Sequence, residues 1–219
     1  MKKNGFLVKI CGLTNLKDAK DAYEKGADYL GIVLHPLSKR CADIEKAQNI
    51  INLLPDAKFV LVFGFDEEDY ILSCRQKLKT KNLYVQLPSD HKSFDSIIQK
   101  IDVENIIPSV AVKEEIAPEI IKKFDIFSFV IFDSAGIQID KTKIIPGGSG
   151  KTFNWNFLVN INMPFLLAGG INLENVSEAL EKVNPLGVDT ASGVEKSYGI
   201  KDTEKMINFI KLVKSKQRR

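Results

Sequence analysis

A chain of 219 residues with 44% hydrophobic and 27% charged content is long enough to bury one sizeable core and too apolar for disorder, so a single domain over 1–219 is expected. The formal net charge is +3, and Lys211, Lys214, Lys216, Arg218 and Arg219 account for more than all of it. The body therefore has no excess positive charge to grip a polyanion; nucleic acid is not an expected partner, and a frayed basic tail from about residue 214 is.

Cys11, Cys41 and Cys74 cannot all pair, and none lies in a CxxC. With His35 and His91 as the two histidines and no HExxH or acidic calcium loop, neither a disulfide framework nor a bound metal is expected. The apolar run after Lys2 and Lys3 breaks at Lys9, too soon for a signal peptide. No stretch approaches the ~20 apolar residues that cross a bilayer, so no membrane partner is expected and the chain reads as cytoplasmic.

Short β-branched runs alternate with helical patterns from end to end. Val8 to Cys11 precedes a helix starting near Asn15, and Tyr29 to Leu34 precedes one lined by Ile44, Ala47, Ile50, Ile51 and Leu54. Phe59 to Phe63, Leu83 to Leu87, Ile106 to Val110 and Ile126 to Phe132 follow as strands, with helices at Glu67 to Leu78, Phe94 to Ile101 and Glu114 to Lys122 between them. One irregular connection, Asp133 to Asn154, precedes Phe165 to Ala168 and Gly187 to Thr190, each backed by an amphipathic helix. Continuous apolar strands need cover on both faces, and eight such units favour an α/β fold of the closed (β/α)8 TIM-barrel type over an open sheet.

The carboxyl ends of barrel strands form the active face. Cys11 ends the first strand, with Gly12 behind it, and Asp133 ends the sixth, so a thiol base and a carboxylic acid are expected to face one small substrate. Gly169-Gly170 and Ser192-Gly193 follow the seventh and eighth strands, where bare backbone N–H groups suit a phosphate. The loop residues Gly147, Gly148, Ser149 and Gly150 are placed to form a lid. Their spacing with Lys151 is not that of a nucleotide-binding GxxxxGK loop. Arg40 carries a planar fork suited to a carboxylate. A different phosphosugar isomerase is the nearest rival and would need another use for Arg40, while the presence of both Cys11 and Asp133 argues against a silent barrel that binds a phosphorylated metabolite or a protein partner.

The pattern as a whole resembles phosphoribosylanthranilate isomerase of tryptophan biosynthesis. The pieces are Lys9-Ile10-Cys11-Gly12, Ser38-Lys39-Arg40, Val85-Gln86-Leu87, Phe132-Asp133-Ser134, Gly147 to Trp155, Leu167-Ala168-Gly169-Gly170 and Gly187-Val188-Asp189 through Ser192-Gly193-Val194-Glu195. Gly199 and Lys201-Asp202 complete them. The resemblance implies an Amadori rearrangement without cofactor, on a small phosphorylated substrate and with no obligate protein partner. It implies Cys11 as general base, Asp133 as general acid, Arg40 against the anthranilate carboxylate, phosphate near Gly170 and Gly193, and Lys9, Gln86 and Asp189 supporting the pocket. Two positions depart from the family: Lys39 replaces the proline before the arginine, and Leu87-Pro88-Ser89 replaces Leu-His-Gly.

Overall fold

The fold is seen in a computed structural model that describes residues 5–134, 137–140, 143–145, 150 and 152–219. In chain order the first elements are β1 (Leu7–Ile10), α1 (Leu16–Glu24), β2 (Tyr29–Val33), α2 (Ile44–Leu53), β3 (Phe59–Val62) and α3 (Glu68–Lys77). Next come β4 (Leu83–Pro88), α4 (Phe94–Lys100), β5 (Ile106–Val112), α5 (Pro118–Lys122), β6 (Val130–Ser134) and a hairpin of β7 (Ile137–Asp140) and β8 (Lys143–Ile145). The chain closes with β9 (Phe165–Leu167), α6 (Val176–Val183), β10 (Gly187–Thr190), a small hairpin of β11 (Glu195–Ser197) and β12 (Ile200–Lys201), and α7 (Thr203–Ser215).

Eight of these strands form a closed parallel barrel in the order β1-β10-β9-β6-β5-β4-β3-β2. Helix starts follow local chemistry: the side chains of Asn15, Asp43 and Asp202 accept from the backbone N–H of Asp18, Lys46 and Lys205. Each such cap contributes about 1 kcal/mol.

Alternation along the strands decides what faces the barrel axis. Val8, Ile10, Leu30, Ile32, Val85, Leu87, Val130, Phe132 and Val188 pack outward with the helices in the main core. Their neighbours Leu7, Tyr29, Val60, Tyr84, Ile107, Ile131 and Leu166 pack together in a second, separate cluster that plugs the barrel. Two residues further along the same inward faces stand Lys9, Gln86, Ser109, Asp133 and Ala168, then Cys11 and Pro88. The interior is thus apolar at one end and polar at the other, where the strands' carboxyl ends open.

Two expectations need correction. The sixth strand begins at Val130, not Ile126, so Asp133 lies within its last turn of pleat rather than beyond it; Ile126 is 61% exposed, while Phe124 and Phe127 are drawn into the core from a turn. The sixth crossover is the irregular connection expected: the hairpin β7–β8 and a 3-10 turn at Trp155–Leu158 stand there, with Trp155 and Leu158 buried. The basic end is docked, not frayed. Lys214 binds Asp28 and the Phe6 carbonyl, Lys216 binds Glu181, and Gln217 bridges to Gly5.

Candidate active site

Cys11, Arg40, Gln86, Asp133, Gly169, Gly170, Asp189 and Ser192 all line one cavity at the polar mouth of the barrel. Gly150 reaches the same cavity, whereas Gly147, Gly148 and Ser149 of the expected lid lie outside the described residues.

Cys11 is 9% exposed, and its amide donates to the Thr190 carbonyl, which extends the β1–β10 ladder to the thiol. Gly31 makes room for it: a Cβ there would meet Cys11 Sγ at 2.9 Å. Burial pushes the thiol above its ordinary value; Lys9 and Lys201 pull it back, and Asp189 adds to the rise. The charge of these two lysines does not overcome desolvation.

Lys9 is wholly buried and donates to Asp189 Oδ2 at 2.9 Å across the β1–β10 pair. Asp189 Oδ1 and Gln86 Oε1 are buried without hydrogen-bond partners among the described residues, and both residues face the cavity. Unpaired buried acceptors cost about 1–3 kcal/mol each, a cost that donors on a bound molecule would remove. Lys9 is thus a support beneath the cavity, not part of its lining.

Asp133 sits in a different setting. Desolvation, then the negative charge of Asp189, push its carboxyl up to about 6, against smaller opposing effects from hydrogen bonds to Ser134 and from Lys9. The Ser134 hydroxyl donates to Asp133 Oδ1 at 3.3 Å. A carboxyl titrating there holds a transferable proton near neutrality, as acid catalysis requires.

Arg40 is where the sequence places it but is already engaged. Its Nε and Nη2 donate to Glu195 at 2.8 Å each, a bidentate pair buried on both sides, so one edge of the guanidinium is taken and Nη1, with the second N–H of Nη2, is left to donate elsewhere among the described residues. Tyr198 lies over the guanidinium at 5.0 Å, and Gly12 makes space beneath it, since a Cβ there would meet Arg40 Cδ at 2.6 Å.

The glycine turns divide. Gly169 and Gly170 adopt left-handed φ of 82° and 67°, and a Cβ on Gly169 would strike the Ser134 amide at 2.6 Å, so only glycine lets this turn cross behind β6. The Asn175 side chain donates to the Gly170 carbonyl at 2.9 Å and fixes the turn. Gly193 instead lies against the Ile171 carbonyl, 2.1 Å from where its Cβ would be, and is not part of the cavity lining; its neighbour Ser192 is.

The family model for N-(5′-phosphoribosyl)anthranilate (PRA) isomerase matches residues 8–212. The N-(5′-phosphoribosyl)anthranilate isomerase of Leptospira borgpetersenii is 38% identical over 98% of this chain and 99% of its own length. That of Aquifex aeolicus is 36% identical over 95% and 98%. The crystal structure of phosphoribosyl anthranilate isomerase from Thermotoga maritima superposes with a TM-score of 0.79 at 34% identity, covering 96% of this chain and 100% of that one. A further structure of such an isomerase, at 31% identity and TM-score 0.78 with coverage of 96% and 100%, holds reduced 1-(o-carboxyphenylamino)-1-deoxyribulose 5-phosphate.

The chain belongs to the phosphoribosylanthranilate isomerase family.

Against the family pattern, the two departures have local structural consequences. Lys39 places its ammonium 4.5 Å from the Tyr198 ring, beside the Arg40 contact with the same ring. Pro88 ends β4, pairs with Ser109 and lines the cavity where the family has an imidazole. His91 does not replace it, because its Nε2 bonds the Asp66 carbonyl at 2.7 Å and its Nδ1 accepts from Ser93. His35, from the loop after β2, does line the cavity, held by Asp66 at 2.9 Å on Nδ1 and seated against Gly64.

Sequence reasoning gave no role to His35, Asp66, Glu195 or Lys201. Glu195 and Lys201 lie within the resembling segments, yet a lysine between Ile200 and Asp202 ahead of a helix has the signature of a surface residue. Burial alone reveals it: the Lys201 side chain has no exposure.

Proposed function

We propose that this chain converts N-(5-phosphoribosyl)anthranilate to 1-(2-carboxyphenylamino)-1-deoxyribulose 5-phosphate by general acid and base catalysis. Family membership supports the reaction, and one observation carries the mechanism: a carboxyl that titrates near 6 and a thiol flanked by two lysines line a single cavity.

Asp133 gives its proton to the furanose ring oxygen as the C1′–O bond breaks, leaving an iminium between C1′ and the anthranilate nitrogen. The Cys11 thiolate then takes the proton from C2′, and the electron pair of that C–H bond neutralises the iminium to an enolamine. The C2′ hydroxyl loses its proton and C1′ gains one, giving the ketone. The iminium is the electron sink, and the chain's own residues supply the proton transfers, worth about 10²–10⁴-fold in rate. Binding at both ends of the substrate orients it.

The turn at Gly169 and Gly170, with Ser192, is the phosphate end of the cavity in this reading. Arg40 Nη1 receives the anthranilate carboxylate, with Glu195 holding the guanidinium in plane. Gln86 Oε1 and Asp189 Oδ1 are the acceptors left for substrate hydroxyls. The substrate is small and phosphorylated, and a reducing cytoplasm suits a chain whose three cysteines are all unpaired. Freshly prepared phosphoribosylanthranilate, followed by the fluorescence change on ring opening, tests the reading. Consumption well above that of the Cys11→Ala variant is expected, and a rate equal to that variant rejects the function.

A further inference from the structure

Lys201 is a charged group wholly out of water. Its Nζ donates to the Cys11 carbonyl at 2.6 Å, to the Ala191 carbonyl at 3.2 Å and to Glu195 Oε1 at 2.9 Å. Two carbonyls and an ionised carboxylate accept only, and a neutral amine has two N–H donors, so three such bonds require the ammonium form. Glu195 in turn serves two cations, since the same Oε1 accepts from Arg40 Nε at 2.8 Å and Oε2 from Arg40 Nη2 at 2.8 Å. Its pKa is held down by Arg40 and Lys201 despite burial, consistent with a permanent carboxylate. The hairpin β11–β12 thereby carries one continuous ionic chain from the arginine of the carboxylate end to the backbone of the thiol.

We propose that Glu195 and Lys201 are positioning residues that join the two: Lys201 fixes the main chain at Cys11 and holds a positive charge beside its sulfur, and Glu195 divides its negative charge between Lys201 and Arg40. This rests on Cys11 acting as the base. The charges facing Cys11 come from every side of its setting: Lys9 on its own strand, Asp189 on β10, Lys201 on β12 and Arg40 on the loop after β2. The first pair is internally compensated by a direct salt bridge at 2.9 Å. Of the remainder, Lys201 and Arg40 share the Glu195 carboxylate, and the buried Asp18 on α1 meets the backbone amide of Lys201 at 2.8 Å, not its ammonium, so among the described side-chain ion pairs their corner keeps one positive charge in excess. That charge favours thiolate at Cys11 and an anion at Arg40 Nη1. The hairpin is thus part of the chemistry, not merely a clasp over the barrel's end.

The two members predict shifts of opposite sign, which loss of packing alone does not produce. Thiolate absorbance at 240 nm is titrated in each protein and corrected by subtracting the same protein carrying Cys11→Ala, so that the difference reports Cys11. Lys201→Gln is expected to leave about tenfold less thiolate at a given pH, a midpoint raised by about one unit. Its kcat falls in proportion, while the dissociation constant for reduced 1-(o-carboxyphenylamino)-1-deoxyribulose 5-phosphate changes little. Glu195→Gln is expected to move the midpoint down, leaving several-fold more thiolate, and to raise KM through a loosened Arg40. If Lys201→Gln does not fold, the downward shift in Glu195→Gln remains the deciding measurement. Shifts of the same sign in both variants, or no shift in a folded variant, overturn the proposal. A wild-type chain that titrates as described yet leaves phosphoribosylanthranilate unconsumed sinks the reaction instead and leaves the wiring standing.

Discussion

Burial raises the titrating group on both sides of the cavity, and it helps one side's task while hindering the other's. On the β6 side it raises the Asp133 carboxyl to about 6, with no cation near enough to reverse the effect. On the β1 and β10 side it raises the Cys11 thiol as well, and the protein sets Lys9 and Lys201 against that rise. Desolvation makes a better acid of a carboxyl without help; a thiol base needs charge brought to it. The investment of buried lysines on one side alone follows from that asymmetry. With the carboxyl pushed up to about 6 and the thiol pushed above its ordinary value, protonated carboxyl and thiolate together make up a minority of molecules at every pH.

The sharpest way to break the comparison is at the thiol. Cys11→Ser replaces a titratable base with a hydroxyl that stays protonated, and kcat is expected to fall by about 10³-fold or more with the reduced product analogue still bound. Near-normal turnover in the purified variant removes Cys11 from the mechanism.

Asp133→Asn is expected to lower kcat by about 10²-fold and to remove the inflection near pH 6 from the kcat/KM profile. The same substitution has a stability signature of its own. A carboxyl at about 6 in the fold, against about 3.9 when free, binds its proton more tightly folded than unfolded. That contribution is whole below pH 4 and is lost as pH rises through 6, after which the buried carboxylate is a burden. Asparagine lifts the burden, so denaturant unfolding at pH 8 should find the variant more stable than wild type by about 2 kcal/mol, and at pH 4 about equal. Equal stabilities at both pH values would mean the carboxyl is not desolvated.

Smaller effects sharpen the picture at the cavity's ends. Arg40→Ala is expected to raise KM by about tenfold, corresponding to loss of a charged hydrogen bond, and to leave Glu195 with Lys201 alone. An unchanged kcat/KM would contradict its place at the carboxylate. Gly169→Ala forces a Cβ to within 2.6 Å of the Ser134 amide at a φ of 82°. A destabilisation of about 1–3 kcal/mol is expected in thermal or denaturant unfolding, with KM raised through the disturbed phosphate turn; wild-type stability would mean the turn has room to move.

Much of this site was legible in the chain because strands obey a period of two. Once Leu7 and Ile131 are inside, Lys9, Cys11 and Asp133 must follow them inward, and strand ends followed by Gly12 or Gly169-Gly170 mark the open face. Boundaries were less legible. The run from Ile126 is apolar throughout, yet its first residues turn before entering the barrel, since apolar character does not distinguish a strand from a turn packed on the core. The docking of Lys214 and Lys216 depends on partners far along the chain.

The sequence by itself determined the alternation of strands and helices, the inward order of Cys11, Asp133, Gln86 and Asp189, and the glycines that bend behind them, because each of these is local in period or in backbone freedom. Only the tertiary structure decided what surrounds the reacting groups: that Lys201 and Glu195 are buried beneath Cys11 and Arg40, that Asp66 holds His35 at the cavity wall, and that the acid and the base are shifted by the same desolvation. Charge and burial are sums over neighbours brought together by barrel closure, and no residue's own letter carries them.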